Sequence, residues 1–275
     1  MDTFVLKLVV TPLLIAAASL AGRRWGGAVS GWFVGLPLTS GPIAFFVALE
    51  HGVGFAAATA VGALAAAIAE AAFCLAYAHT ARRTWWPPSL VVGCVAFGVT
   101  ALLLQRLTLP IVVVAVAVFA ALLASLRLMP AARGASASLP PPRWDLPLRM
   151  VTATLVVVSI TEAAPALGPR LSGALGAFPV YAAILTVFGH RSGAASAVQV
   201  LRGLLLGLFG FAGFFLVLGL LIERAGLVLA FAAAIAATLA IQGGSLVLVL
   251  RSPKAGAIAP SASRPRTGRR TRSRG

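Results

Sequence analysis

The sequence predicts an all-α integral membrane protein of about nine transmembrane helices, arranged as two inverted-topology repeats with discontinuous helices 2 and 7. Three observations carry that expectation: the composition, the spacing of apolar runs, and a glycine and proline pattern that recurs in the second half. Hydrophobic residues make up 60% of the 275 and charged residues 10%, proportions that a soluble domain of this size cannot bury. Charge is lopsided, with 22 basic residues against six acidic ones; in a soluble chain that would suggest nucleic acid. Here the arginines punctuate apolar runs instead of lining one face. They read as topology signals and contacts to anionic lipid headgroups, so membrane lipid is an expected partner and nucleic acid is not.

Runs of about 20 apolar residues fall at 4–21, 26–49, 53–79, 88–105, 109–127, 148–167, 171–189, 194–222 and 226–250. The first ends like a signal peptide, but Lys7 precedes it and Arg23 and Arg24 follow it, the reverse of a signal's charge order. An uncleaved helix with its N-terminus outside is expected. The second run contains "GLPLTSGP" at 35–42, where Pro37 and Pro42 should interrupt the helix. The third holds Glu70. Between the third and fourth, Trp85 and Trp86 beside Arg82 and Arg83 form an interfacial aromatic anchor. Cys74 and Cys94 lack the spacing of a metal site and read as small core residues. The fifth run is a linking helix ending at Arg127.

After it, 128–147 contains "ARGASASLPPPRWD" and reads as a flexible cytoplasmic linker. Glu162 lies in the sixth run, Gln199 and Arg202 in the eighth, Gln242 in the ninth. Residues 251–275 end in "SRPRTGRRTRSRG", a disordered basic tail whose expected partners are anionic headgroups. The organisation is therefore a first repeat with linking helix over 1–127, the linker 128–147, a second repeat over 148–250, and the tail. With nine crossings and the N-terminus outside, the inner loops receive Arg23, Arg24, Arg82, Arg83, Arg127, Arg133, Arg143, Arg149 and Arg191 plus the tail. The outer loops receive only Lys7, Arg106, Arg170 and Arg224. This bias puts the C-terminus on the cytoplasmic side, and the Arg-dominated, Ala-rich composition fits the cytoplasmic membrane of a bacterium.

The repeat shows when "GGAVSGWFVGLP" (26–37) is set over "GPRLSGALGAFP" (168–179), which pairs Gly26 with Gly168, Ser30 with Ser172, Gly31 with Gly173 and Pro37 with Pro179. After a one-residue shift, Gly52 falls over Gly193 and Gly62 over Gly203. The two runs cross in opposite senses, so the repeats would be inverted.

Inverted-repeat transporters bind their substrate near the bilayer midplane, where interrupted helices expose backbone groups. Both interruptions lie at mid-depth, and the substrate-binding candidates are Pro37, Thr39, Ser40, Gly41 and Pro42 with Pro179 and Tyr181. A packing kink accounts for the same residues. Ionisable residues at depth are costly: Glu70 and Arg202, on repeat-mate helices, are expected to pair or to couple, and Glu162 is a proton-relay candidate. Glu50 and His51 outside, with His190 and Arg191 inside, are gate candidates. Gln199 and Gln242 read as links between helices.

No clustered carboxylates, histidine pair, serine elbow or phosphate loop occurs, so neither an enzyme, a metal site nor a cofactor is expected. Over "GGAVSGWFVGLPLTSGPIAFFVALEHG" the chain resembles uncharacterised bacterial membrane proteins, and is similar to the small GlpM-like proteins of about half its length. The resemblance spans roughly residues 20–80, with an echo at 165–222 that lacks the second proline and the glutamate. It implies half-size and fused versions of one fold. The function expected is secondary transport of a small solute by alternating access, proton-coupled through Glu70 or Glu162; the alternative is a non-transporting scaffold or accessory subunit. A homo-oligomer is compatible with either.

Overall fold

Glycine and proline set where the helices start and stop. The computed structural model describes residues 3–37, 40–107, 109–132, 144, 146–148, 150–152, 154–155 and 178–251. Helix α1 spans Thr3–Trp25. The second apolar run is interrupted as its prolines require, into α2, Gly27–Val34, and α3, Ser40–His51. Helix α4 is Val53–Thr80, and α5, Trp86–Gln105, carries proline in its first turn, where the missing N–H costs nothing. Helix α6 is Ile111–Leu128, capped by Pro110. Helix α7, Val180–Arg191, starts directly after Pro179. The last helical stretch, Ala194–Arg251, breaks at Gly226 (φ 77°, ψ 175°), giving α8 (194–225) and α9 (227–251).

Among the described residues every regular element is a helix. Four helical stretches are long and apolar enough to cross a membrane: Val53–Thr80, Trp86–Leu104, Ile111–Leu128 and Ala194–Ser245. The distribution of side chains fits that environment. Val91, Val95, Val99 and Leu103 on α5, Val112 and Val116 on α6, and Val228, Leu229 and Leu239 on α9 are all exposed. Alanine, leucine and phenylalanine fill the interior. Small residues where helices touch, as between α2 and α8, are the arrangement that lipid permits.

The helix directions follow from which residues meet. Gly27 lies against Val200, Gly31 against Leu204 and Gly35 against Gly207, so α2 and α8 run parallel. Gly54 faces Glu223 and Ala60 faces Gly219, so α4 is antiparallel to α8. Ile111 packs on Gly219 while Arg202 reaches Leu126, so α6 is antiparallel to α8 along its length. Gln242 meets Gly210 across the Gly226 turn, making α8 and α9 a hairpin. Gly93 sits against Phe73 and Tyr77, making α4 and α5 another. Helix α8 is central, with Leu201, Leu204, Leu205, Leu208, Phe215 and Leu218 fully buried.

One local pattern occurs twice. A non-helical proline segment leads into a 12-residue helix, α3 or α7. Each is followed by a glycine with positive φ, Gly52 at 85° and Gly193 at 121°, a region only glycine enters without strain. A long helix, α4 or α8, follows in each case.

The apolar runs read from the sequence correspond to these helices within a few residues for α4, α5, α6, α8 and α9. The run at 148–167 is helical at 150–152 and 154–155. Its remainder with Glu162, the first half of the run at 171–189, most of the linker and the tail lie outside the described residues.

Candidate functional site

The helix register defines a layer at mid-depth. With Gly54 level with Glu223 and Ala60 level with Gly219, Glu70 stands level with residues 207–209 of α8. Gly35, at the end of α2, packs directly on Gly207. The interruption of the second run and the buried carboxylate therefore share one level, about 15 Å along α4 from its C-terminal end.

The first half of this layer is the seam between α2 and α8. Gly27, Gly31 and Gly35 recur every four residues and so share one helix face. A Cβ on Gly31 would overlap the Val200 carbonyl oxygen, and one on Gly203 would overlap the Ala28 carbonyl oxygen. The two backbones touch, and no side chain can be inserted. Beside the seam runs a buried polar chain. Trp32 Nε1 donates to Ser245 Oγ at 2.8 Å, Ser245 Oγ donates to Gln242 Oε1 at 2.7 Å, and Gln242 Nε2 donates to the Gly207 carbonyl at 2.7 Å. Thr238 donates to the Ala234 carbonyl at 2.8 Å. Each of these polar groups has a partner, and α2 is tied to both α8 and α9.

Past the seam, Gly41 is buried against Phe214 and its N–H donates to the Pro37 carbonyl at 2.9 Å. Ser40 begins α3 and is half-buried. Pro37 is also half-buried, Pro42 lies within α3, and Thr39 lies outside the described residues.

The second half of the layer is the inward face of α4. Glu70 is 5% exposed, and among the described residues it has neither a hydrogen-bond nor an ion-pair partner. The expected pairing with Arg202 is not formed. In the antiparallel register Arg202 lies about six residues inward of the level of Glu70, roughly 9 Å along the axis. Its guanidinium instead donates to the Leu126 carbonyl at 3.5 Å, in the last turn of α6, where unpaired carbonyls and the helix dipole favour a cation.

One and two turns inward of Glu70, Phe73 and Tyr77 are fully buried on the same face. Phe73 meets Phe178 with ring centroids 6.5 Å apart, Phe178 meets Phe97 at 5.1 Å, and Phe73 meets Tyr77 at 5.9 Å. Phe178 immediately precedes Pro179, so this aromatic group joins the face of α4 to the start of α7. Pro179 is buried and Tyr181 half-buried. The Tyr77 hydroxyl lies 3.1 Å from His190 Nδ1. Among the gate candidates, His190 is thus bound to α4 and Arg191 is exposed, while the side chains of Glu50 and His51 lie outside the described residues. Burial pushes the His190 imidazole below its ordinary range, with a Thr84 backbone contact opposing. On α7 the buried Thr186 hydroxyl also has no partner.

Sequence reasoning missed Trp32, Ser245 and Tyr77. The four-residue spacing of Gly27, Gly31 and Gly35 was the signal for the seam; nothing local marks the Trp32 and Ser245 partnership, 213 residues apart. No family model matches the chain, and neither a curated protein nor a solved structure matches it.

Proposed function

We propose that the protein is a secondary transporter that moves a small solute across the cytoplasmic membrane by alternating access, with Glu70 at the centre of its pathway. The observation that carries this reading is the unpaired, buried carboxyl group at mid-depth, since intramembrane carboxylates without structural partners mark ion and substrate routes. The repeated order of proline segment, 12-residue helix, positive-φ glycine and long helix supports two related halves.

A second reading, a non-transporting scaffold or accessory subunit, is favoured by the seam itself. Its backbones touch and its polar groups are satisfied, as in a static helix contact.

Cysteines placed singly at 35–42 and 178–184, in a version lacking Cys74 and Cys94, separate the two. Impermeant thiol reagents are applied from each side under a pH gradient of either sign. Transport predicts mid-depth positions in 178–184 that label from one side and change sides with the gradient. No labelling at either stretch from either side would establish the scaffold.

A further inference from the structure

The charge of the mid-depth layer selects its ligand. Among the described residues at the level of Glu70, α2, α3, α6, α8 and α9 contribute no arginine, lysine, histidine or second carboxylate. The nearest base along α8, Arg202, is turned to Leu126. An anionic solute would meet only repulsion there, and a neutral one would leave the carboxylate without a counter-charge in an apolar core once its proton had left, which is costly. The missing partner is a cation.

The surroundings also decide which kind. A sodium or potassium ion needs several oxygen ligands to replace its water, but Glu70 is flanked on α4 by Ala66, Ala67, Ala69, Ala71 and Phe73, and α4 carbonyls are committed to the helix. Rings offer what oxygen does not, since a weakly hydrated organic cation gains from the face of an aromatic ring. Phe73 supplies such a ring one turn away, and it clusters with Phe178, which meets Phe97, at the junction with α7.

Building on the transport reading, we infer that Glu70, walled by Phe73, Phe97 and Phe178, binds a small organic monocation, a quaternary or protonated amine, in exchange for a proton. On binding, the carboxyl group releases its proton and pairs with the cation; no covalent bond to carbon changes. The titratable groups near this face are Cys74 and Tyr77 on α4, Cys94 on α5 and His190 on α7. Arg127 on α6 and Glu223 on α8 stand at helix ends. Glu50 and His51 end α3.

Benzyltrimethylammonium is titrated calorimetrically into the purified full-length protein in detergent, in buffers of differing ionisation heat. The expected result is saturable binding with proton release, weakened by about tenfold or more in Glu70→Gln, retained in Glu70→Asp, and unchanged by sodium at constant ionic strength. Phe97→Ala weakens binding and leaves proton release intact. Equal binding by wild type and Glu70→Gln, or competition by sodium, overturns the inference. Absence of binding while the cysteine positions still change sides overturns the cation class and leaves transport standing. Thermal melts identify any variant that fails to fold, and Glu70→Asp then carries the test.

Discussion

The two halves of the mid-depth layer are built on opposite rules. Along the seam of α2 and α8, three glycines on one face let backbones touch, and Trp32, Ser245, Gln242 and the Gly207 carbonyl satisfy one another. On α4, at the same depth, Glu70 is left without a partner beside a cluster of rings. The first arrangement is what stability alone would select in lipid, where each unsatisfied polar group is expensive. The second is costly to stability, and a cost of that kind is the usual mark of a working site. The interruption after α2 falls beside the satisfied half, and the proline segment before α7 falls beside the other.

The comparison breaks most visibly at Gly31. Gly31→Leu places a side chain where the Val200 backbone stands and should cost about 3 kcal/mol or more, seen as lost thermal stability or loss of a monodisperse species. Gly62→Leu, at a glycine with open space around it, should stay within about 0.5 kcal/mol.

On the other half the sign reverses. Glu70→Met removes an unpaired buried carboxyl group and should raise stability by about 1–3 kcal/mol while abolishing cation binding. A fall in stability would mean that Glu70 has a structural partner.

Gln242→Leu severs the polar chain and should cost about 1 kcal/mol, measured as a lower midpoint of thermal unfolding, with cation affinity unchanged.

The smallest effect concerns Tyr77 and His190. Burial holds the folded-state His190 pKa below its ordinary 6.5. The folded protein thus favours the neutral ring, whose Nδ1 accepts from Tyr77. That contribution is present above pH 6.5 and is lost as pH falls through the lowered value. His190→Asn keeps an acceptor near Nδ1 and does not titrate in this range, so it should flatten the acid-side fall in melting temperature. Tyr77→Phe should lower the stability at neutral pH by an amount on the order of 1 kcal/mol.

What the sequence made legible was what local chemistry decides. Pro37 lies in the break between α2 and α3, Pro179 directly precedes α7, and Gly52 and Gly193 mark turns in positive φ. Apolar run lengths delimit α4, α5 and α6 almost to the residue. Partnerships were not legible, because they depend on register between distant helices. Glu70 and Arg202 were expected to pair because the sequence alignment set their helices over one another, but the contacts at Gly54 and Gly219 place the two residues at different levels. Tyr77 and His190 meet because α7 ends beside the inner end of α4, an arrangement that neither segment encodes alone.

The most direct measurement of the central claim is the reaction of the full-length protein with dicyclohexylcarbodiimide in membranes, read by peptide mass spectrometry. This apolar reagent adds to carboxylic acids in apolar surroundings and scarcely to hydrated carboxylates. The account predicts covalent modification at Glu70, suppressed by benzyltrimethylammonium, with the exposed Glu223 unmodified. Modification of Glu223 with Glu70 untouched, or labelling of Glu70 that the cation leaves unaffected, would contradict it.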